Sequence, residues 1–379
     1  MFNSITLVDF KNDIPPSDDD DDLYNNNTLF SKFKDKMRTR KRHGFSMNFN
    51  QVHIIPKIFG PSSIHDPTTN ISDEDDDSDH VDHSEHSFRA PSDVKISHTH
   101  QVIIVSDYSN MKLYFFRYTD KTFIGSVNVD HPMYLCIEEK YNGWNDALIF
   151  DANSNLGTVF KFDLYKMLQT IFNSELSFSR NDFIWKNGDA RDARGMAMMR
   201  DLHASTIGDH QLLFVSDFTS NDIFLINSKT GVTIQKFQDL MIECPYAIDV
   251  CSENRMVIIS EYTSPSSIYM MKLEHTFHQG ATQSSPNYTL KLIKKFDKKG
   301  DDEIHDSCQG LVFDNVTQHI YCTDTECRIQ VFNLQGQCIK SLDTRMDETS
   351  DNPDGLCLDD KTGELYLCSY YAACIRIYK

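Results

Sequence analysis

Carboxylates are the groups of this 379-residue chain best placed to do chemistry. Asp107, Asp151, Asp217, Glu261 and Asp324 each close an apolar run at a short polar turn, and Asp354 lies between Pro353 and Gly355, with Asn352 and Asp93 as further candidates. Carboxylates and amides converging from several loops can hold one hard divalent cation and polarise a carbonyl or activate water. A carboxylate at a turn also accepts hydrogen bonds from neighbouring backbone N–H groups, a structural task. His80, His83 and His86, interleaved with Asp79, Asp82 and Glu85, form a second candidate set able to catch a transition metal. The elements that carry these groups decide between the readings.

Those elements repeat. Units open at PSDVKI, PMYLCI, ARGMAM, PYAIDV, CQGLVF and PDGLCL, near residues 91, 132, 193, 245, 308 and 353, with spacings of 41, 61, 52, 63 and 45. Each opening is followed by a β-branched run ending in a polar turn (VIIVSDYSN, LLFVSDFTSN), then by a returning run such as KLYFF or RIQVF, and in most units by a fourth strand such as VTIQKF. Alternation of period two dominates, which excludes a helical solenoid. Four short strands per unit at this spacing predict a β-propeller blade, and six units predict a six-bladed ring.

The last unit ends after its third strand, leaving a bare sheet edge. The segment NQVHIIPKIFG, residues 50–60, has the apolar alternation of the missing strand. We expect it to close the ring, with residues 61–90 as an acidic, disordered top-face connection. The expected organisation is therefore a disordered tail at 1–44 and an all-β propeller of four-stranded blades over 45–379. One helix is expected within DLYKMLQTIFNSEL, capped by Asp163 and lying on the bottom face.

Net charge is −19, and within residues 91–379 there are 39 acidic against 27 basic residues, so the ring itself is acidic. Such a surface repels phosphate backbones and attracts lysine and arginine. No run approaches membrane-spanning length and the N-terminus lacks a secretory pattern, so neither secretion nor membrane insertion is expected. Cys136, Cys357 and Cys368 stand where sister units are apolar and read as buried thiols of a reducing compartment. Localisation is expected to be cytoplasmic or nuclear, the basic run KFKDKMRTRKRH leaving that choice open.

The Pro-x-Gly-apolar opening, the strand ending in Ser-Asp or Thr-Asp, and Arg-Ile-Gln-Val-Phe followed by Asn-x-x-Gly resemble the NHL repeat. The best copies are CQGLVFDNVTQHIYCTDTECRIQVFNLQGQ at 308–337 and the unit at 353–379. The resemblance covers about residues 45–379 and implies a six-bladed propeller acting as a recognition module. In that family the propeller is frequently the substrate-binding part of ubiquitin-ligase chains, but no RING or B-box module is present here.

Comparison among units separates scaffold from site. The turn acids Asp107, Asp151, Asp217, Glu261 and Asp324 recur in one slot, with Ser369 in the sixth unit, and are expected to be structural. The slot after the opening residue varies in chemistry and holds Ser92, Met133, Arg194, Tyr246, Gln309 and Asp354, which we expect around the channel mouth as a binding surface. Tyr108, Phe218, Tyr262 and Tyr370 would add aromatic contact on the same face. A non-catalytic module binding a protein partner through a basic segment is the favoured reading, as a monomer, with no metal, cofactor, membrane or nucleic acid expected. The alternatives are a calcium-dependent lactonase or esterase, for which the mouth slot offers one acid, and an RNA-binding NHL-type propeller.

Overall fold

The computed structural model describes residues 42–57, 86–152, 157–173, 175–179, 181–200, 211–276, 287–296, 307–345 and 351–379. Residues 1–41 of the tail expected at 1–44, most of the acidic connection at 61–90, and His80 and His83 lie outside these residues.

Six antiparallel four-stranded sheets form the blades. Blade 1 runs β2 (Pro91–Ser97), β3 (Val102–Asp107), β4 (Lys112–Arg117) and β5 (Phe123–Asn128). Blade 2 runs β6 (Pro132–Glu138), β7 (Ala147–Ala152) and β8 (Thr158–Asp163), then helix α1 (Leu164–Phe172) and β9 (Trp185–Asn187). Blade 3 holds β10 (Ala193–Arg200), β11 (Gln211–Asp217), β12 (Asp222–Asn227) and β13 (Thr233–Phe237). Blade 4 holds β14 (Pro245–Cys251), β15 (Met256–Glu261), β16 (Ile268–Thr276) and β17 (Asn287–Phe296). Blade 5 holds β18 (Cys308–Asp314), β19 (His319–Asp324), β20 (Arg328–Phe332) and β21 (Cys338–Asp343). Blade 6 holds β22 (Pro353–Asp359), β23 (Glu364–Ser369) and β24 (Cys374–Tyr378), completed by β1 (Gln51–Ile55).

The all-β, six-bladed architecture read from the repeats is therefore the observed one, and the ring closes through the N-terminal strand. Ile54 pairs with Arg376 and Ile55 with Ile375, while Asn50 and Lys379 exchange backbone hydrogen bonds of 3.1 and 2.8 Å. Strand β9, the fourth strand of blade 2, is only three residues long, too short for the repeat pattern to mark its segment.

Each blade is covered on both faces by its neighbours, so the second strands read as unbroken apolar runs. Val102, Ile103, Ile104 and Val105 are all buried. The core is accordingly divided among blade interfaces: Ile103 and Val105 meet Tyr366 and Ile375 across blades 1 and 6, whereas Val102 and Ile104 meet Leu135 and Leu148 of blade 2. Ahead of β1 the chain is already anchored. His43 N–H donates to Asp360 O at 2.8 Å, Phe45 N–H donates to Asp314 Oδ2 at 2.8 Å, and the Phe45 and Phe49 rings pack with Tyr321, Leu356 and Tyr378 between blades 5 and 6.

Helix α1 is capped as its sequence suggests, Asp163 accepting from Lys166 N–H. Its apolar stripe faces inward: Leu164, Met167 and Leu168 join Phe115, Val127 and Leu148 in the core between blades 1 and 2.

Candidate functional site

The innermost strands all break register near their first residues, between Pro91 and Asp93 in blade 1 and between Pro353 and Leu356 in blade 6. A bulge removes backbone ladder partners. A row of hydroxyls on the second strands replaces them. Ser106 accepts from Asp93 N–H at 3.0 Å, Ser260 from Ala247 N–H at 3.0 Å and Thr323 from Gly310 N–H at 2.7 Å. The same hydroxyls donate to the next blade, Ser106 to Met133 O, Ser216 to Tyr246 O, Ser260 to Cys308 O at 3.1 Å and Thr323 to Asp354 O at 2.9 Å.

The five turn acids expected in one slot do not all occupy it. Asp107, Asp217, Glu261 and Asp324 stand opposite the first residue of their inner strands, but in blade 2 that position is Ala152, paired with Pro132. Asp151 falls one place earlier, in the hydroxyl row, because its run ALIFDA lacks the Ser or Thr that precedes the acid elsewhere. Its Oδ1 accepts Tyr134 N–H at 2.8 Å. The other four acids bind loop backbone: Asp107 accepts from Arg89, Ala90 and Asn110, Asp217 from Arg191, Asp192 and Ser220, Glu261 from Glu243 N–H and Tyr269 O–H, and Asp324 from Glu326 and Arg328.

The variable slot divides in two. Ser92 is fully buried and its hydroxyl donates to Ala90 O at 3.2 Å, so it is no part of an open mouth. Tyr246, Gln309 and Asp354 are 7%, 6% and 4% exposed, facing neighbours in the ring rather than open solvent, because the inner strands crowd one another. Gly355 shows the crowding: a Cβ there would lie 2.4 Å from Asp93 Oδ1. Met133 and Arg194 remain partly exposed. The Arg194 guanidinium donates through Nε to Asp192 at 2.9 Å and lies 5.5 Å from the Phe218 ring centre and 5.9 Å from that of Tyr246.

Around Arg194 the rings gather. Tyr246 stacks on Tyr262 at 4.9 Å and meets Phe218 at 6.0 Å and Tyr134 at 5.7 Å edge-on. Tyr108 instead packs on His131 and Tyr370 on Tyr371. Tyr134 escaped the sequence reading because it occupies the slot that is Gly195, Gly310 and Gly355 in other units; so does Asp93. A large or charged residue in a row of small ones was the available signal.

Below the mouth, Asp93, Lys95, Tyr134, Arg194, Gln309 and glycine backbone line a central cavity. Lys95 Nζ donates to both Asp93 oxygens at 2.7 and 2.8 Å and to the carbonyls of Val94 and Leu356. The remaining channel acids are less well compensated. Burial, reinforced by Asp93, pushes the Asp354 carboxyl up to about 7; burial pushes Asp151 up to about 7 and Asp249 up to about 6. The calcium-enzyme arrangement is poorly matched, since Asp93 is already neutralised by the chain's own ammonium.

On the opposite face, His98, Asp359 and Asp360 form a group with metal-ligand spacing. His98 Nε2 lies 3.1 Å from Asp359 Oδ1, and Asp359 Oδ2 also accepts from Tyr118 and Thr362 hydroxyls. With its acceptors so occupied, the group acts as a polar latch between blades 6 and 1. His86, of the sequence cluster, packs 4.9 Å from the Phe123 ring. Two further stretches read from the sequence as acidic connections are DKKGDDEIHD at 297–306, which lies outside the described residues, and LDTRMDETSD at 342–351, of which 346–350 lie outside them.

No protein-family model matches the sequence, and no curated protein sequence matches it. Among solved structures the chain is similar to the β-propeller domain of Cps50 (Swd1) from Myceliophteria thermophila, with a TM-score of 0.50 and 10% identity, over 76% of this chain and 96% of that one. That likeness is one of fold. Among the described residues no helix is long and apolar enough to cross a membrane.

Proposed function

We propose that this propeller is a non-catalytic protein-recognition scaffold whose top face binds a basic segment of a partner. One observation carries the reading: the channel mouth gathers Tyr134, Phe218, Tyr246 and Tyr262 around the partly exposed Arg194, with Met133 beside it. Aromatic, methionine and arginine side chains on a rigid frame are the usual anchors of recognition surfaces. The acid excess of the ring, 39 acidic against 27 basic residues over 91–379, supplies the charge complement for a basic partner and opposes nucleic acid.

The repeat pattern supports placing the chain with NHL-type propellers, acting as a monomer in cytoplasm or nucleus. On that basis it would serve as the substrate-recognition part of a ubiquitin-ligase pathway, with catalysis supplied by a separate chain. The test is binding of fluorescent basic, acidic and neutral peptides and a single-stranded RNA to the full chain and to Phe218→Ala and Tyr262→Ala. Preference for the basic peptides, weakened by both substitutions and by salt, is expected. Preference for RNA, or peptide binding indifferent to both substitutions, would refute the reading.

A further inference from the structure

We propose that the channel mouth, at the level of Gln309 and Asp354, receives a primary ammonium group, the head of a lysine side chain in the partner segment; this rests on the recognition reading above.

Gln309 is 6% exposed and its buried Oε1 has no hydrogen-bond partner among the described residues. Asp354 is 4% exposed, its Oδ1 receives the Tyr134 hydroxyl at 3.3 Å, and among the described residues no lysine, arginine or histidine lies within ion-pair distance of it. Both side chains leave equivalent positions of adjacent inner strands. Thr323 Oγ1 ties those strands together, accepting from Gly310 N–H and donating to Asp354 O. An orphaned amide oxygen and a carboxyl without an ion-pair partner, at equivalent positions of adjacent strands and both withdrawn from water, are costly unless a donor arrives.

Among the described residues the nearby cations, Lys95 and Arg194, act on Asp354 only as charges beyond ion-pair distance. Lys95 spends its N–H groups on Asp93, Val94 O and Leu356 O. Arg194 commits Nε to Asp192 and Nη1 to Met133 Sδ. The cavity that Gln309 lines has glycine backbone at Gly195, Gly310 and Gly355, which leaves room, and its two cations, Lys95 and Arg194, are each held by a carboxylate of their own, Asp93 and Asp192. A compact head on a slender stem suits a small cavity lined by Tyr134, Arg194 and Gln309 better than a planar guanidinium fork. Because burial holds the Asp354 carboxyl up to about 7, an arriving cation would favour its ionised form and expel a proton near neutrality.

The test uses the full chain and two probes, Nα-acetyl-lysine methylamide and the same compound acetylated at Nζ. Calorimetric titration at pH 7 in two buffers of different ionisation heat should show binding of the ammonium probe alone, with proton release to buffer. Asp354→Asn should weaken it by about tenfold or more, ~1.4 kcal/mol per tenfold. Gln309→Glu, which adds a carboxylate without loss of size, should tighten it. Equal binding of both probes, no binding of either, unchanged affinity in Asp354→Asn, or displacement of the probe by calcium chloride would each overturn the proposal. If the probes fail while basic peptides still bind in a manner sensitive to Phe218→Ala, the recognition reading stands and only the ammonium site falls. If basic peptides fail as well, both fall.

Discussion

Arg376 Nη2 and Asp351 Oδ2 lie 2.6 Å apart, with both side chains 2% exposed. Arg376 belongs to the last strand, stands opposite Ile54 of the first, and donates through Nη1 to Thr344 O. One guanidinium therefore joins the closing strand pair to the connection between blades 5 and 6. Removing one partner of a buried pair leaves the other charge uncompensated, at a cost of about 3–5 kcal/mol. Asp351→Asn should lose stability on that scale, and adding Arg376→Met should recover part of it. Denaturant midpoints of Asp351→Asn, Arg376→Met and the double variant check this, and additive losses would show that the pair does not act as a unit.

Ring closure predicts that removing residues 1–41 leaves melting behaviour unchanged, whereas removing 1–57 lowers the melting temperature sharply or causes aggregation through the bared edge of β24. Equal melting of the two truncations would contradict closure. Within the strap, Phe45→Ala should cost about 3–5 kcal/mol, since a 1% exposed ring fills the space between blades 5 and 6.

Asp151 sets a pH dependence. Burial raises its folded carboxyl to about 7, above the ~3.9 of an unfolded aspartate. Between those values the folded chain binds more protons than the unfolded one, so the Asp151 contribution to stability falls as pH rises and the full penalty is present above about pH 7. Asp151→Ser restores the residue type of blades 1, 3 and 4 at this slot and removes the titration. It should raise stability at pH 8 more than at pH 5, measured by chemical denaturation. A gain equal at both pH values would count against it.

His98 and Asp359 act with opposite signs. Burial lowers the His98 pKa, but hydrogen bonds to Asp359 and Asp360 outweigh it and leave the group raised. Its stabilisation is full below the unfolded value of ~6.5 and is lost as pH rises through the folded value. Burial raises Asp359, but bonds from His98, Tyr118 and Thr362 outweigh it and leave the carboxyl depressed, so its stabilisation is present above ~3.9 and lost as pH falls. His98→Asn should thus destabilise more at pH 6 than at pH 8.5, and a deficit independent of pH would exclude the latch.

Blade number, strand order and closure were legible in the sequence because each unit rewrites the same short-range pattern, and because an incomplete last unit demands a strand from elsewhere. The turn acids were legible for a similar reason: Asp107, Asp217, Glu261 and Asp324 serve backbone a few residues away in their own units or just ahead of them. What only the tertiary structure decided are relations between blades. Ser92 could be told from Met133, and Asp151 from its sister acids, only once the bulges set the register. The roles of Asp93 and Tyr134, and the lack of an ion-pair partner for Asp354 among the described residues, depend on inner strands contributed by units far apart along the chain. Local pattern specifies what each strand is; which side chains share the channel is fixed by long-range packing that no periodicity encodes.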